Sequence, residues 1–133
     1  MFVGVDHIGV AVKNLDEALT VYRDVLGFTL KGIHVLKERK VRVAFLSSGG
    51  ETNIELLEPL GADSPVAKFL EKRGEGIHHF AVIVKDIEAV MRKFKDKGVL
   101  LVDDTSHEGA EGAKIAFVHP KSTKGVLLEL VMK

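Results

Sequence analysis

DHIGVAVKNLDEALTVYRDVLGF (6–28) and HHFAVIVKDIEAVMRKFKDKGVL (78–100) are two versions of one segment. Set side by side, His7 falls on His79, Lys13 on Lys85, Asn14 on Asp86, Leu19 on Met91 and Tyr22 on Phe94. The offset is 72 throughout and slips by one at the closing glycines, Gly27 and Gly98. NIELLEP (53–59) matches LLELVMK (127–133), which sets Glu55 against Glu129. A long period present in two copies marks a duplicated module, because a solenoid needs three or more repeats.

Each copy reads the same way. An apolar run, Val5–Val12 or Ile77–Val84, suits a strand buried on both sides. A helix follows, capped by Asn14 or Asp86, and in the first copy Glu17 completes a capping-box spacing. Leu15, Ala18, Leu19, Tyr22 and Leu26 recur at helical spacing, as do Ile87, Val90, Met91 and Phe94. Gly27 and Gly98 suit the left-handed position that ends a helix. Three strand-like runs come next: 28–36, 41–47 and 53–58 in copy one, then 99–102, 114–118 and 125–131 in copy two. Between the copies, SPVAKFLEKRG (64–74) places Ser at the cap, Pro at the first helical position and Gly at the end, which predicts a linking helix. The fold class is therefore α+β, two βαβββ modules in tandem.

Successive strand side chains point to opposite faces, so His78 and His79 serve different surroundings. The repeat selects His79, since His78 aligns with Asp6 and is expected to face away as a structural hydrogen-bonder. Two histidines thus open equivalent strands, and two glutamates sit in equivalent last strands otherwise made of Ile, Leu and Val. A carboxylate buried in such a strand costs several kcal/mol unless it is paired or binds a cation. Two imidazoles and two carboxylates, from His7, Glu55, His79 and Glu129, make a divalent-metal donor set if a pseudo-two-fold axis relates the copies.

Composition narrows the function classes. The chain has 133 residues, 46% hydrophobic and 29% charged, enough for one domain with a real core. Its 19 basic residues balance 19 acidic ones, so no global field favours nucleic acid or an anionic membrane. Without cysteine there is no disulfide, thiolate nucleophile or Cys-based zinc site. MFVGVDHIGV lacks a basic lead and a long apolar run, so the expected location is cytoplasmic, with no membrane span.

Paired βαβββ modules carrying His, Glu, His and Glu in that order resemble the vicinal oxygen chelate superfamily, which includes glyoxalases, bleomycin-resistance proteins and dioxygenases. The resemblance covers the whole chain. It implies a single domain over 1–133, with module one at about 3–60, the linking helix at about 64–74 and module two at about 76–133. It further implies a cup-shaped, half-open mixed sheet around one metal, in a homodimer. Within the superfamily, SPVAKFLEKRGEGIHH (64–79) and HPKSTKGVLLEL (119–130) are most similar to the methylmalonyl-CoA epimerase family. Glyoxalase I has an Asp–Pro–Asp–Gly turn where HPKSTKG stands here.

That likeness implies an isomerase of the racemase and epimerase class. Its substrate would be a coenzyme A thioester and its cofactor one divalent ion: cobalt, manganese, nickel or zinc. The likeness also implies that Glu129 serves as a base besides lying at the metal. Some relatives carry a second glutamate at the position of Val43, where valine cannot hold a proton. Glu55 ranks first as the replacement, ahead of a metal-bound water or Glu38. The HPKSTKG turn is expected beside the metal, with Lys121 and Lys124 supplying charge and Ser122 and Thr123 supplying donors to the thioester's phosphates and amides. HEGAEGAK (107–114) reads as a glycine-rich rim loop, and His34, His107 and His119 receive no role. Two alternatives stand beside the epimerase: a lactoylglutathione lyase of the glyoxalase I type, and a non-catalytic small-molecule binding protein of the same fold.

Overall fold

The computed structural model describes residues 1–133. By internal contacts the chain divides into two compact units, His7–His78, and Met1–Asp6 together with His79–Lys133.

In the first unit the strands run in the order β2-β3-β4-β1, where β1 is Phe2–Ala11, β2 Thr29–Leu36, β3 Val41–Ser47 and β4 Asn53–Pro59. β1 pairs with β4 in parallel, whereas β3 pairs antiparallel with both β2 and β4. The sheet is mixed because the helix returns the chain across it before the three-strand meander begins. Helix α1 (Leu15–Leu19) covers one face, packing Leu15 and Leu19 against Val10, Val12, Ala44 and Leu56. Asn14 caps it as the sequence predicts, its Oδ1 accepting from the Glu17 N–H at 2.9 Å. Glu58 adds a second acceptor, taking the Leu15 N–H at 2.7 Å while Arg42 donates to its other oxygen at 3.0 Å. The opposite face carries Ala11, Val41, Val43 and Leu57 beneath Val66 of helix α2 (Pro65–Arg73). Ser64 caps α2 through the Val66 N–H, with Pro65 at the first position, as expected.

Two details of the first helix depart from the α-helical spacing. After Leu19 the chain continues as a π-helical segment, Thr20–Val25. Its wider turn rotates the following side chains, so Leu26 is 58% exposed rather than part of the buried face. Gly27 then turns the chain at φ +86°, and Gly98 does the same at +79°.

The second unit repeats the plan with strand order β5-β8-β7-β6: β5 Gly76–Val84, β6 His107–Glu108, β7 Lys114–Val118 and β8 Leu127–Met132. Residues 76–78 of β5 count with the first unit. β5 pairs with β8 in parallel, and β7 lies antiparallel to β8 and β6. Helix α3 (Ile87–Asp96) sets Ile87, Val90 and Met91 against Val84, Leu128 and Leu130. Asp86 caps it, accepting the Ala89 N–H at 3.1 Å. The first residues of the chain join this unit. The Phe2 ring stands edge-on to Phe94 at 6.5 Å, and Lys133 pairs with Asp6.

The expected strand over 99–102 is corrected to a single bridge, Leu101 to Val118. Its backbone is satisfied piecemeal instead: Val99 N–H donates to the Phe94 carbonyl, Leu100 N–H to Ser122 Oγ and Val102 N–H to the Phe117 carbonyl. No continuous ladder forms, because the bonds go to three different elements. The edge strand of this half is the two-residue β6, inside the segment read as a rim loop, followed by a helical turn at Ala110–Gly112. The α+β class and the two βαβββ modules are borne out.

Candidate active site

In the first unit, β1 and β4 set His7 and Glu55 on the sheet face opposite helix α1. The register pairs His7 with Asn53 and Gly9 with Glu55, so all four project to one side. His7 Nδ1 lies 3.0 Å from Glu55 Oε2. Across β3 the partner of Glu55 is Phe45. The glutamate therefore has glycine on one side and an aromatic ring on the other.

The second unit reproduces this pattern. His79 Nε2 lies 3.1 Å from Glu129 Oε1, with side-chain exposures of only 5% for both. Glu129 pairs with Ala81 on the parallel side and with Phe117 on the antiparallel side, the Phe117 ring standing edge-on to His79 at 6.0 Å. A small residue, a carboxylate and a phenylalanine thus recur in the same cross-strand row in both halves. The small residue leaves room above the strand for the imidazole or for a ligand. The ring adds apolar surface beside each carboxylate, where a charge interaction is stronger than in water.

The two pairs differ in detail. His7 turns Nδ1 to its glutamate and His79 turns Nε2; Glu55 is 15% exposed and Glu129 5%. In each half the arrangement offers a cation one imidazole nitrogen and one carboxylate. His78 points to the other side of β5, its ring edge-on to Phe69 at 4.9 Å, as its place beside His79 requires.

Val43 is buried with Val41, Leu57 and Val66, and Glu38 lies exposed in the turn between β2 and β3. The HPKSTKG segment forms a short helical turn, Pro120–Thr123, just before β8. His119 caps it, Nδ1 accepting from the Lys121 N–H at 3.0 Å. Ser122 Oγ accepts the Leu100 N–H at 2.9 Å, and Thr123 Oγ1 donates to the Val126 carbonyl. Both hydroxyls are therefore engaged in holding the turn, while Lys121 and Lys124 are exposed. Lys124 takes a left-handed backbone, φ +62°, to close it. One histidine that the sequence reading left without a role, His34, stands on the same sheet face as Glu55, because its strand partner is Val43.

Fold and site define a class. Residues 6–117 match the Glyoxalase/Bleomycin resistance protein/Dioxygenase superfamily, and the chain belongs to that superfamily. The finer resemblance is to the epimerases within it. The mitochondrial methylmalonyl-CoA epimerase of Mus musculus is 41% identical over 94% of this chain and 70% of its own length. The crystal structure of methylmalonyl-CoA epimerase from Mycobacterium tuberculosis superposes with a TM-score of 0.93 at 41% identity, covering 98% of this chain and 88% of that one. A Streptomyces coelicolor methylmalonyl-CoA epimerase variant in complex with 2-nitronate-propionyl-CoA gives 0.93 at 40% identity, over 100% and 99% of the two chains.

Proposed function

We propose that this protein is an isomerase that interconverts (R)- and (S)-methylmalonyl-CoA by removing the α-proton from one face and returning it to the other. The similarity to epimerases over nearly the full length supports the reaction. The observation that carries the reading is the His–Glu pair repeated on equivalent strands of both halves, fully buried in the second and with only its glutamate partly exposed in the first. Two carboxylates kept among apolar strand residues cost stability unless a charge task repays them.

On this reading His7, Glu55, His79 and Glu129 hold one divalent cation: cobalt, manganese, nickel or zinc. The donor chemistry fits, since two imidazoles and two carboxylates neutralise a dication and suit borderline metals. Bound there, such an ion would supply Lewis-acid charge to the thioester and carboxylate oxygens of the substrate. The protein's own groups supply the rest. Phe45 and Phe117 set apolar surface beside the glutamates, and Glu129 takes or returns the proton on one face of the α-carbon. Lys121 and Lys124 meet the phosphates of the coenzyme, while Ser122 and Thr123 fix the turn that presents them.

The test is exchange of the α-proton of methylmalonyl-CoA in deuterium oxide. Exchange of both enantiomers is expected, abolished by a chelator and restored by a divalent ion. Absence of metal-dependent exchange would end the reading, and turnover of the methylglyoxal–glutathione adduct would favour a lyase of the glyoxalase I type. No helix of the chain is long and apolar enough to cross a membrane.

A further inference from the structure

Inversion at carbon needs a proton carrier for each face, or one that reaches both. Glu129 answers for one, and the reading above leaves the other unassigned. Glu55 lies 3.0 Å from His7, as Glu129 lies 3.1 Å from His79, and with one glutamate taking up the proton the other is needed as the anionic ligand of the cation. The strand register shows what else shares its face. Gly32, Phe45, Glu55 and Gly9 form one cross-strand row; His34, Val43, Leu57 and Ala11 form the next. The second row is hydrocarbon except for His34.

The imidazole of His34 does not stay in its own row. Its ring stands edge-on to Phe45 at 5.1 Å, and its Nε2 lies 3.2 Å from where a Cβ on Gly32 would sit. Glycine at 32 leaves open the space that the ring enters, so the ring leans into the row of Glu55. The placement has a counterpart in the other half. His107 pairs with Ile115 just as His34 pairs with Val43, and Ile115 follows Val43 by the same 72 positions that separate the two ligand histidines. There the imidazole is engaged, 3.2 Å from an Asp103 oxygen, while the other oxygen of Asp103 accepts the Phe117 N–H. The first-half ring stands perpendicular to Phe45 instead, and its residue is exposed.

We propose that His34 is the proton carrier for the second face of the α-carbon, an inference that rests on the epimerase reading. The C–H bond breaks, its electron pair passes into the thioester enolate and the proton bonds to the imidazole. On the opposite face the protonated carboxyl of Glu129 delivers a proton as the electron pair returns to carbon. Exchange with water resets both groups, and the reverse reaction exchanges their parts. Imidazole suits the task because its charge changes nearest neutral pH.

His34→Gln and His34→Phe, loaded with metal, test the assignment against each enantiomer separately in deuterium oxide. Conversion should fall at least ~100-fold, the usual worth of a positioned acid–base group. Exchange without inversion should persist for the one enantiomer whose proton Glu129 removes, which also shows that the variant is folded and loaded. Free imidazole should restore conversion to His34→Ala. Conversion within about threefold of the unaltered protein, or equal loss of exchange for both enantiomers, overturns the role of His34. If the unaltered protein exchanges neither enantiomer, the epimerase reading itself falls, an outcome distinct from any variant's behaviour.

Discussion

The two halves agree where strands meet the His–Glu pair and diverge at the periphery. Both carry glycine or alanine, glutamate and phenylalanine in one cross-strand row, and both bury an apolar helix face on the far side of the sheet. The first half has an eight-residue edge strand and a helix that widens into a π segment. The second has a two-residue edge strand and a regular ten-residue helix. A one-residue slip inside a paired strand would send every side chain to the wrong face, so the central register tolerates little change. Edge strands and helix ends carry no such constraint.

The largest effect should come from the site. Glu129→Gln is expected to lower turnover of methylmalonyl-CoA at least ~100-fold, the usual worth of a positioned acid–base group, and Glu55→Ala to lower it through loss of the bound ion. A half that could be spared would show as an activity left intact in one variant. Next come the cores. Leu56→Ala and Leu130→Ala each empty a fully buried site and should cost about 2–5 kcal/mol by denaturant unfolding. A large inequality would mean that one half carries more of the cooperative stability.

The caps rank third. Asn14→Ala and Asp86→Ala each remove one acceptor at a helix start, and each should cost about 1 kcal/mol in the same unfolding measurement. A smaller loss at Asn14 would show that Glu58, which takes the Leu15 N–H, shares the capping there. The smallest effect lies outside the duplication. Lys40 holds the carboxyl of Asp63 below the usual carboxylate range through a solvent-exposed ion pair. Lys40→Ala should bring that group back up toward its ordinary value in an NMR titration while leaving the midpoint of unfolding unchanged.

Much of this was legible in the chain itself, because duplication lets one half check the other. The offset of 72 separates His79 from His78, and the match of NIELLEP to LLELVMK, at an offset of 74, pairs Glu55 with Glu129. Caps and helix-ending glycines were readable because their chemistry is local: Asn14, Asp86, Ser64, Gly27 and Gly98 act within a few residues. The edge strands were not. Residues 99–102 have strand composition, yet their N–H groups go to a helix end, a serine and β7. The outward turn of Leu26 depends on a π segment that the 3.6-residue spacing does not announce. His34 carries no local sequence signal, because what sets it apart is facing Val43 and the space beside Gly32, both fixed by strand pairing.

Metal stoichiometry tests the central claim most directly. Mass spectrometry of the metal content, run on the unaltered chain and on His7→Ala and His79→Ala, asks whether the duplicated pairs work as one centre. One divalent ion per chain, lost alike when either histidine is removed, is the result this account requires. Two ions per chain, or a full complement kept by either variant, would mean that the pairs act separately and would contradict it.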